Sequence, residues 1–267
     1  MKTVKIQGGL GNQLFGLAFA HSIAILTAKR VQLDVGGFDR DRYGHRFMLD
    51  DLAARLGLDL IRHPILSSRL VGAAMGAAPS RLWVREGAVP GDPAALWAMV
   101  RRGVYFDGYW QNEAYIARPE TIRAVVRDFL EERGGLAASH RVVIHYRTYG
   151  DEIRPGRRGV PDAGFFQRAV EVIEALGGTA DDIGLVSDRP RLAMERLGSL
   201  ARRVTPVGGA GDAYGDMALL LRARALILGN SSFSWWGGFC GDATATVYPR
   251  RGDFHHYPAP AARFTVI

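Results

Sequence analysis

Cysteine, lysine and long apolar runs are all scarce in this chain of 267 residues, and each scarcity excludes a class of protein. The single cysteine, Cys240, excludes an internal disulfide and a metal site built from several thiolates, which fits a reducing compartment. The longest apolar stretch, residues 14–28, is interrupted by His21, Ser22 and Thr27. It predicts neither a signal peptide nor a membrane span, so we expect a cytoplasmic protein.

Positive charge is plentiful, but it is dispersed along the chain. The formal net charge is +7, and of the 34 basic residues only Lys2, Lys5 and Lys29 are lysines. The arginines are scattered between acidic residues rather than run together, and no helix-turn-helix, zinc-finger or aromatic-basic RNA motif is present, so no nucleic-acid partner is predicted. Such a surface suits a phosphorylated small molecule, and it also suits peripheral association with the anionic inner face of the cytoplasmic membrane.

The first 35 residues predict a strand, a glycine-rich turn, a helix and a second strand. The strand covers Thr3 to Ile6, the turn runs through Gly9, Gly11, Asn12 and Gln13, the helix covers residues 14–28, and the next strand covers residues 31–35. Gly9, Gly11 and Asp34 allow a nicotinamide-dinucleotide interpretation, although Leu14 replaces the third glycine of that fingerprint. A second alternative is a turn whose glycines only let strand and helix pack closely.

An aromatic and amide-rich turn follows a predicted strand that begins at Val104. Tyr109, Trp110 and Gln111 lie in this turn. Aromatic faces stack on the C–H faces of sugars, and amides bind hydroxyl groups through two atoms at once, so the turn suggests carbohydrate binding. The alternative is an aromatic strand end that is half buried in a core.

The best domain boundary follows Gly134 and Gly135, after an amphipathic helix predicted over residues 118–134. We therefore divide the chain into domains 1–135 and 136–267. A strand over residues 141–144 opens the second domain and delivers His145 and Arg147 on one face. An arginine there pairs with a diphosphate through two donors, whereas the alternative is a surface strand end with incidental charges.

Two further strand ends in the second domain carry polar residues. The strand over residues 183–188 ends at Asp188, where a carboxylate accepts hydrogen bonds from base or ribose donors. The buried run 226–229 leads to Asn230, Ser231, Ser232 and Phe233 at the start of a helix. Serine hydroxyls and a helix N-terminus make a receptor for phosphate. The alternative is that a serine caps a core helix whose tryptophans are packing residues.

These motifs resemble, in order and spacing, those of the bacterial α-1,2-fucosyltransferases, glycosyltransferase family eleven. The resemblance covers residue 6 to about residue 240. The segments that carry it are Gly8 to Phe15, Gly108 to Gln111, His145-x-Arg147, Ser187-Asp188, Asp216 to Leu219, and Asn230 to Gly237.

The adjacent His255 and His256 do not predict a metal site, because neighbouring side chains of an extended segment point in opposite directions.

The resemblance implies an α/β fold of the GT-B kind, with two facing Rossmann-like domains and the donor site in the cleft. It implies an inverting transfer of L-fucose from GDP-fucose to a hydroxyl, O-2 of a galactoside in a bacterial surface glycan, with no cofactor and no metal. The acceptor, which would be lipid-linked at the membrane, belongs to the first domain through Tyr109, Trp110 and Gln111. The implied donor-binding residues are Gly9, Gly11, Asn12, Gln13, His145, Arg147, Asp188, Asn230, Ser231, Ser232 and Phe233.

The chain departs from the family's His-x-Arg-Arg-Gly-Asp motif. Thr148-Tyr149 replaces the second arginine and adds one residue before Gly150-Asp151, so the acid is displaced. We expect Arg147 to stabilise the departing GDP, and Asp151 or Glu152 to be the nearest general base for a single in-line displacement. The departure keeps two alternatives open, a protein that binds GDP-sugar or carbohydrate without catalysis and an enzyme for a related GDP-deoxyhexose.

Overall fold

The computed structural model describes residues 1–41, 43–62, 82–86, 93–135, 142–148, 160–209, 211–250 and 260–267. The chain forms two compact units, Met1–Ile122 and Arg123–Ile267, and each contains one β-sheet. The units are described separately. The predicted boundary after residue 135 stays a prediction.

The first unit is built on a five-stranded parallel sheet with the order β3-β2-β1-β5-β4. Its strands are β1 (Lys2–Lys5), β2 (Val31–Asp34), β3 (Asp59–Ile61), β4 (Trp83–Arg85) and β5 (Tyr105–Asp107), and its helices are α1 (Leu10–Thr27), α2 (Asp50–Arg55) and α3 (Pro93–Arg102). Single 3-10 turns lie at Phe38–Arg40 and Glu113–Tyr115. The predicted opening of strand, helix and strand is present.

Helix α1 starts four residues earlier than predicted, because the chain turns at a single glycine. Gly8 has φ +77°, in the left-handed region that side chains disfavour, and Gly9 is already the N-cap of the helix. Gly11, Asn12 and Gln13 therefore lie in its first turn. The helix is long and apolar enough to cross a membrane by length and composition, but 67% of that stretch is buried within the protein. It packs as a core helix.

The second unit is built on a six-stranded parallel sheet with the order β11-β10-β9-β6-β7-β8. Its strands are β6 (Val142–Tyr146), β7 (Ile183–Ser187), β8 (Val204–Gly208), β9 (Ala225–Leu228), β10 (Ala245–Tyr248) and β11 (Thr265–Val266). Its helices are α4 (Pro119–Gly134), which begins just before the division, α5 (Ala163–Ala175), α6 (Pro190–Leu197), α7 (Ala213–Leu221) and α8 (Ser232–Cys240), with a 3-10 turn at Gly198–Arg203.

The core of the second unit explains why its central strands carry so few polar residues. All residues of β6, β7 and β9 are buried, as expected for parallel strands that are covered on both faces. One continuous apolar cluster includes Ile144, Phe166, Ile173, Leu185 and Ile227. Polar side chains are therefore confined to the strand ends, and the carboxyl ends of these strands are where a site is expected.

Each sheet has a point at which neighbouring strands connect to opposite sides. In the second sheet β6 leads to β7 on one side, whereas its neighbour β9 leads to β10 on the other. In the first sheet β1 leads to β2, whereas its other neighbour β5 follows β4 from the opposite edge. Open parallel sheets bind ligands outside the carboxyl ends of the strands at such points. Both points coincide with motifs from the sequence.

Candidate functional site

The end of β6 places His145 and Arg147 in different surroundings. His145 is 4% exposed, and its ring lies 5.3 Å from the ring of Phe233. The strand ends at Tyr146, and Arg147 lies beyond it with a side chain that is about half exposed. His145 thus faces the start of α8, whereas Arg147 turns toward the end of β7. His145 is therefore buried, whereas the guanidinium of Arg147 is accessible to a ligand.

Asp188 orients the segment that carries Arg147. Its Oδ1 accepts hydrogen bonds from the Thr148 backbone N–H at 2.8 Å and from the Thr148 hydroxyl at 3.1 Å. Its Oδ2 lies 3.5 Å from Arg147 Nε. An ion pair this exposed stabilises a protein by only about 1 kcal/mol or less, so its consequence is geometric. The hydrogen bonds from Thr148 to Asp188 were not predicted from the sequence, because Thr148 was interpreted only as the loss of the family's second arginine.

The N-terminus of α8 completes this edge of the second sheet. Ser231 is the N-cap, and its hydroxyl oxygen accepts the Phe233 N–H at 3.2 Å. The Ser234 hydroxyl donates to the Gly229 carbonyl at 3.0 Å. Ser232 and Phe233 are half-buried, whereas Asn230 and Ser231 are buried. The capping alternative is therefore correct for Ser231, but it does not remove the positive end of the helix dipole from this edge.

Glycines allow α8 to sit this close to the sheet. A Cβ at Gly237 would lie 2.7 Å from Leu220 in α7, and one at Gly238 would lie 2.8 Å from Leu228 in β9. Trp235 and Trp236 are fully buried, as the packing alternative expected. At the head of the helix, the Gly229 N–H donates to the His145 carbonyl at 2.9 Å, which joins the two strand ends.

Burial keeps His145 neutral. Desolvation, followed by the positive charge of Arg147, lowers the pKa of the imidazole to about 4, against a smaller opposing effect of Asp188. Among the residues that the structure describes, His145 Nδ1 has no hydrogen-bond partner. A buried ring nitrogen without a partner costs free energy, and a ligand that supplied a complementary group would remove that cost.

The second sheet therefore brings together most of the predicted donor residues. His145, Arg147 and Asp188 lie at the carboxyl ends of β6 and β7, and residues 230–233 lie at the carboxyl end of β9. At the end of the neighbouring strand β8, the Asp216 carboxylate is already occupied, because it accepts a hydrogen bond from the Gly209 N–H at 2.7 Å. The predicted bases Asp151 and Glu152 lie outside the described residues, as do His255 and His256.

The first sheet brings its two sequence motifs together in the same way. Gln111 Nε2 donates to Asn12 Oδ1 at 2.7 Å, which ties the turn after β5 to the first turn of α1. Beneath it, Lys5 forms an ion pair of 3.1 Å with Asp107. The glycine-rich turn and the aromatic turn, distant in sequence, thus form one edge.

Two predicted binding residues of this edge have their side chains committed to the fold. Gln13 is fully buried, and its amide donates to the carbonyls of Gly8 and Arg46 and accepts from the Met48 N–H. Trp110 is also fully buried, and its ring is stacked 4.1 Å from the ring of Phe19. The roles predicted for both stay untested. Tyr109, which is 41% exposed, is the aromatic side chain that this turn leaves for a ligand.

The nicotinamide alternative finds no support in this geometry. Leu14, which takes the place of the third glycine of the fingerprint, is fully buried in the core. Asp34 is buried, and its carboxylate accepts hydrogen bonds from the Tyr105 hydroxyl at 2.8 Å and the Gly36 N–H at 3.1 Å. An aspartate committed in this way does not bind a ribose, which removes the last residue of the fingerprint.

One polar pair at the first edge was missed from the sequence. His45 Nδ1 lies 2.8 Å from Asp41 Oδ2, and the ring lies beside Gly9 at the start of α1. Residues 36–49 have no hydrophobic periodicity, so nothing in the sequence joined this loop to the glycine turn. Within the described residues, no group of three or more His, Cys, Asp or Glu side chains is arranged to hold a metal ion.

The two-sheet architecture has counterparts among solved structures, although no protein-family model and no curated protein sequence matches the chain. FUT1 of Arabidopsis thaliana, a mutant in complex with GDP, is similar over 95% of this chain and 71% of its own, with a TM-score of 0.54 and 15% identity. NodZ α-1,6-fucosyltransferase co-crystallised with GDP is similar over 90% of this chain and 92% of its own, with a TM-score of 0.52 and 15% identity. NodZ from Bradyrhizobium is similar to the same degree, over 93% of its own length.

At 15% identity these likenesses concern the fold. They confirm the predicted α/β class, with two parallel Rossmann-like sheets as in GT-B glycosyltransferases. Membership in family eleven and the α-1,2 linkage stay predictions.

Proposed function

We propose that the chain is a GDP-fucose-dependent fucosyltransferase whose second unit binds the nucleotide. One observation carries the proposal: Arg147, just beyond the end of β6, and the capped N-terminus of α8, just beyond the end of β9, lie at the carboxyl ends of two neighbouring strands. A half-exposed guanidinium and a helix dipole are the groups that a diphosphate needs. The fold supports the proposal, because NodZ and Arabidopsis FUT1, which share it, were both crystallised with GDP.

The reaction would be a single displacement at the anomeric carbon of fucose, with inversion from β in the donor to α in the product. Negative charge develops on the departing GDP, and Arg147 and the N-terminus of α8 would stabilise it. Asp188 would act on the reaction through the orientation of Arg147. His145 is neutral, so its role would be to bind a polar group of the nucleotide rather than to neutralise charge.

The finer specificity rests on the motifs rather than on the fold. The resemblance to family eleven supports an α-1,2 linkage to a galactoside, and Tyr109 and Gln111 are the first-unit residues that would bind this sugar. The acceptor we propose is a unit of a bacterial surface glycan, lipid-linked at the inner face of the cytoplasmic membrane. The net charge of +7 fits that location.

The test combines GDP binding with transfer. GDP-fucose is incubated with a panel of β-galactosides in the presence of EDTA, and released GDP and the linkage of the product are measured. Arg147→Ala should weaken GDP binding about 10- to 100-fold, the loss expected for a hydrogen bond to a charged group, and should abolish transfer. Arg191→Ala is the matched control, because Arg191 is 95% exposed and forms an ion pair with Glu195 of the same helix.

Three results would contradict parts of the proposal. Loss of transfer in EDTA would remove the metal-free mechanism. Transfer from another GDP-sugar but not from GDP-fucose would overturn the donor. GDP binding without transfer from any donor would favour the non-catalytic alternative. That alternative stays open because Thr148 stands where the family has a second arginine, and Thr148 donates hydrogen bonds to Asp188 instead.

A further inference from the structure

The two residues that flank Arg147 in the chain are both fully buried, although Arg147 itself is about half exposed. Neither Tyr146 nor Thr148 is accessible to solvent, whereas 47% of the Arg147 side chain is. A long side chain that is half exposed has many rotamers, so the reach of its guanidinium depends on where the backbone on either side is fixed. The contacts that fix Tyr146 and Thr148 therefore determine where this cation can lie.

Tyr146 is fixed both at its backbone and at its ring. Its carbonyl accepts a hydrogen bond from the Ser187 hydroxyl at 2.7 Å, and its own hydroxyl donates to the Pro161 carbonyl at 3.1 Å. Its ring lies 4.6 Å from the ring of Phe166. Burial raises the pKa of the Tyr146 phenol, and Arg196 opposes that shift through its charge and a hydrogen bond to the hydroxyl. The phenol keeps its proton, so its oxygen accepts from Arg196 while it donates to Pro161.

Thr148 is held at both of its peptide bonds. Asp188 accepts hydrogen bonds from the Thr148 N–H at 2.8 Å and from the Thr148 hydroxyl at 3.1 Å. On the other side, Nη1 of Arg196 donates to the Thr148 carbonyl at 2.9 Å. Hydrogen bonds to charged side chains are stronger than those between neutral groups, so both peptide groups are firmly oriented. Arg196 thus binds the residue before Arg147 and the residue after it.

Helix α6 supplies both of the charged groups that hold Thr148. The helix covers Pro190–Leu197, so Asp188 lies just before its start and Arg196 lies in its last turn. It is only about 12 Å long, and helical side chains tilt toward the N-terminus, which brings the Arg196 guanidinium back toward Asp188. The buried face of the helix packs against the core of the second unit. The position of α6 in the core therefore sets the position of the segment 146–148.

We propose that Arg196 is a positioning residue for the nucleotide site, an inference that rests on the proposed function. It holds the segment 146–148 in the conformation that presents the Arg147 guanidinium to the diphosphate of the GDP-sugar. Arg196 acts on the nucleotide through Arg147, because its own guanidinium binds the Tyr146 hydroxyl and the Thr148 carbonyl. Its loss should therefore remove what Arg147 contributes to GDP binding and should leave the other contributions intact.

The experiment is a double-mutant cycle on GDP affinity, measured by isothermal titration calorimetry for wild type, Arg196→Met, Arg147→Ala and the combined variant. Arg196→Met keeps an unbranched apolar side chain and removes the guanidinium. It should weaken GDP binding about 10-fold in the wild-type background, but less than about 2-fold in a chain that already carries Arg147→Ala. A residue that added its own charge to the site, or that only loosened the fold, would cause the same loss in both backgrounds.

Arg191→Met is the matched control, because Arg191 lies on the same helix, is 95% exposed and forms an ion pair with Glu195. It should leave GDP affinity unchanged. Thermal unfolding checks that each variant folds, and Arg196→Gln, which puts a neutral amide in place of the guanidinium, takes the place of Arg196→Met if the methionine variant does not fold.

Equal losses of GDP affinity in the two backgrounds, or no loss in either, overturn the inference about Arg196. The proposed function fails separately, if the wild-type chain binds GDP but transfers sugar from no GDP-sugar, because the cycle then still decides whether Arg196 acts through Arg147. A wild-type chain that does not bind GDP overturns both.

Discussion

The buried imidazole of His145 makes the stability of the protein depend on pH in a way that can be calculated. In the unfolded chain the imidazole has an ordinary pKa of 6.5, whereas burial and Arg147 lower it to about 4 in the folded chain. Between these values the unfolded state binds the extra proton. Stability is therefore complete above pH 6.5 and falls as the pH is lowered toward 4, since protonation favours unfolding.

The size of the effect follows from the two pKa values. The loss attributable to His145 should be about 2 kcal/mol at pH 5 and should approach about 3 kcal/mol below pH 4, at 1.36 kcal/mol per pKa unit. Other groups titrate in the same range, among them His21, whose pKa is lowered by burial and Arg118. The quantity to compare is therefore the difference between wild type and a variant that lacks only this imidazole.

The assay is urea unfolding of wild type and His145→Gln at intervals from pH 7.5 to pH 4.5. At pH 7.5 the two proteins differ by a constant amount that reflects packing and hydrogen bonds. The difference should shift in favour of the variant by about 2 kcal/mol as the pH falls to 5, since glutamine does not titrate. Parallel curves across this range would refute the conclusion that His145 is buried and neutral.

Two further predictions concern single side chains at the two edges. Ser231→Ala removes the N-cap of α8 and should lower the free energy of unfolding by about 1 kcal/mol in urea, whereas Ser231→Thr should retain most of it. Unchanged stability of the alanine variant would contradict the capping geometry. Tyr109→Ala should raise KM for the galactoside acceptor at least several-fold and leave GDP affinity unchanged, because Tyr109 is an exposed aromatic side chain in the turn after β5. A loss of GDP affinity in isothermal titration would contradict that assignment.

The second sheet could be predicted well because local pattern and tertiary position agree there. Continuous apolar runs such as Val142 to Ile144 and Leu226 to Leu228 are typical of strands covered on both faces, and the polar residues after them can only lie at the carboxyl edge. The meeting of residues 145–148, 188 and 230–233 follows from parallel strand order. The pattern could not predict that these residues differ in role, because that difference depends on the burial of His145 and the exposure of Arg147.

The first edge could be predicted less well because tertiary packing overrides local pattern there. Trp110 adopts φ +55°, which a tryptophan tolerates only when its surroundings fix it, and the stacked ring of Phe19 supplies that contact. Tyr109 is therefore exposed and Trp110 fully buried, although their composition made them equivalent. Asp41 and His45 are four residues apart in a loop without helical periodicity, so only the folded loop reveals that they bind each other.

Electrostatics supports the assignment of the nucleotide to the second unit independently of any motif. At the second edge the reachable groups are the Arg147 guanidinium and a helix N-terminus, and the histidine between them is neutral. At the first edge the carboxylates of Asp41, Asp107 and Glu86 act together on Tyr109. A half-exposed guanidinium and a helix N-terminus attract a diphosphate, whereas carboxylates repel it and do not repel a neutral sugar. The distribution of charge at the two edges therefore agrees with the proposal that the anionic donor binds at the second sheet and the neutral acceptor at the first.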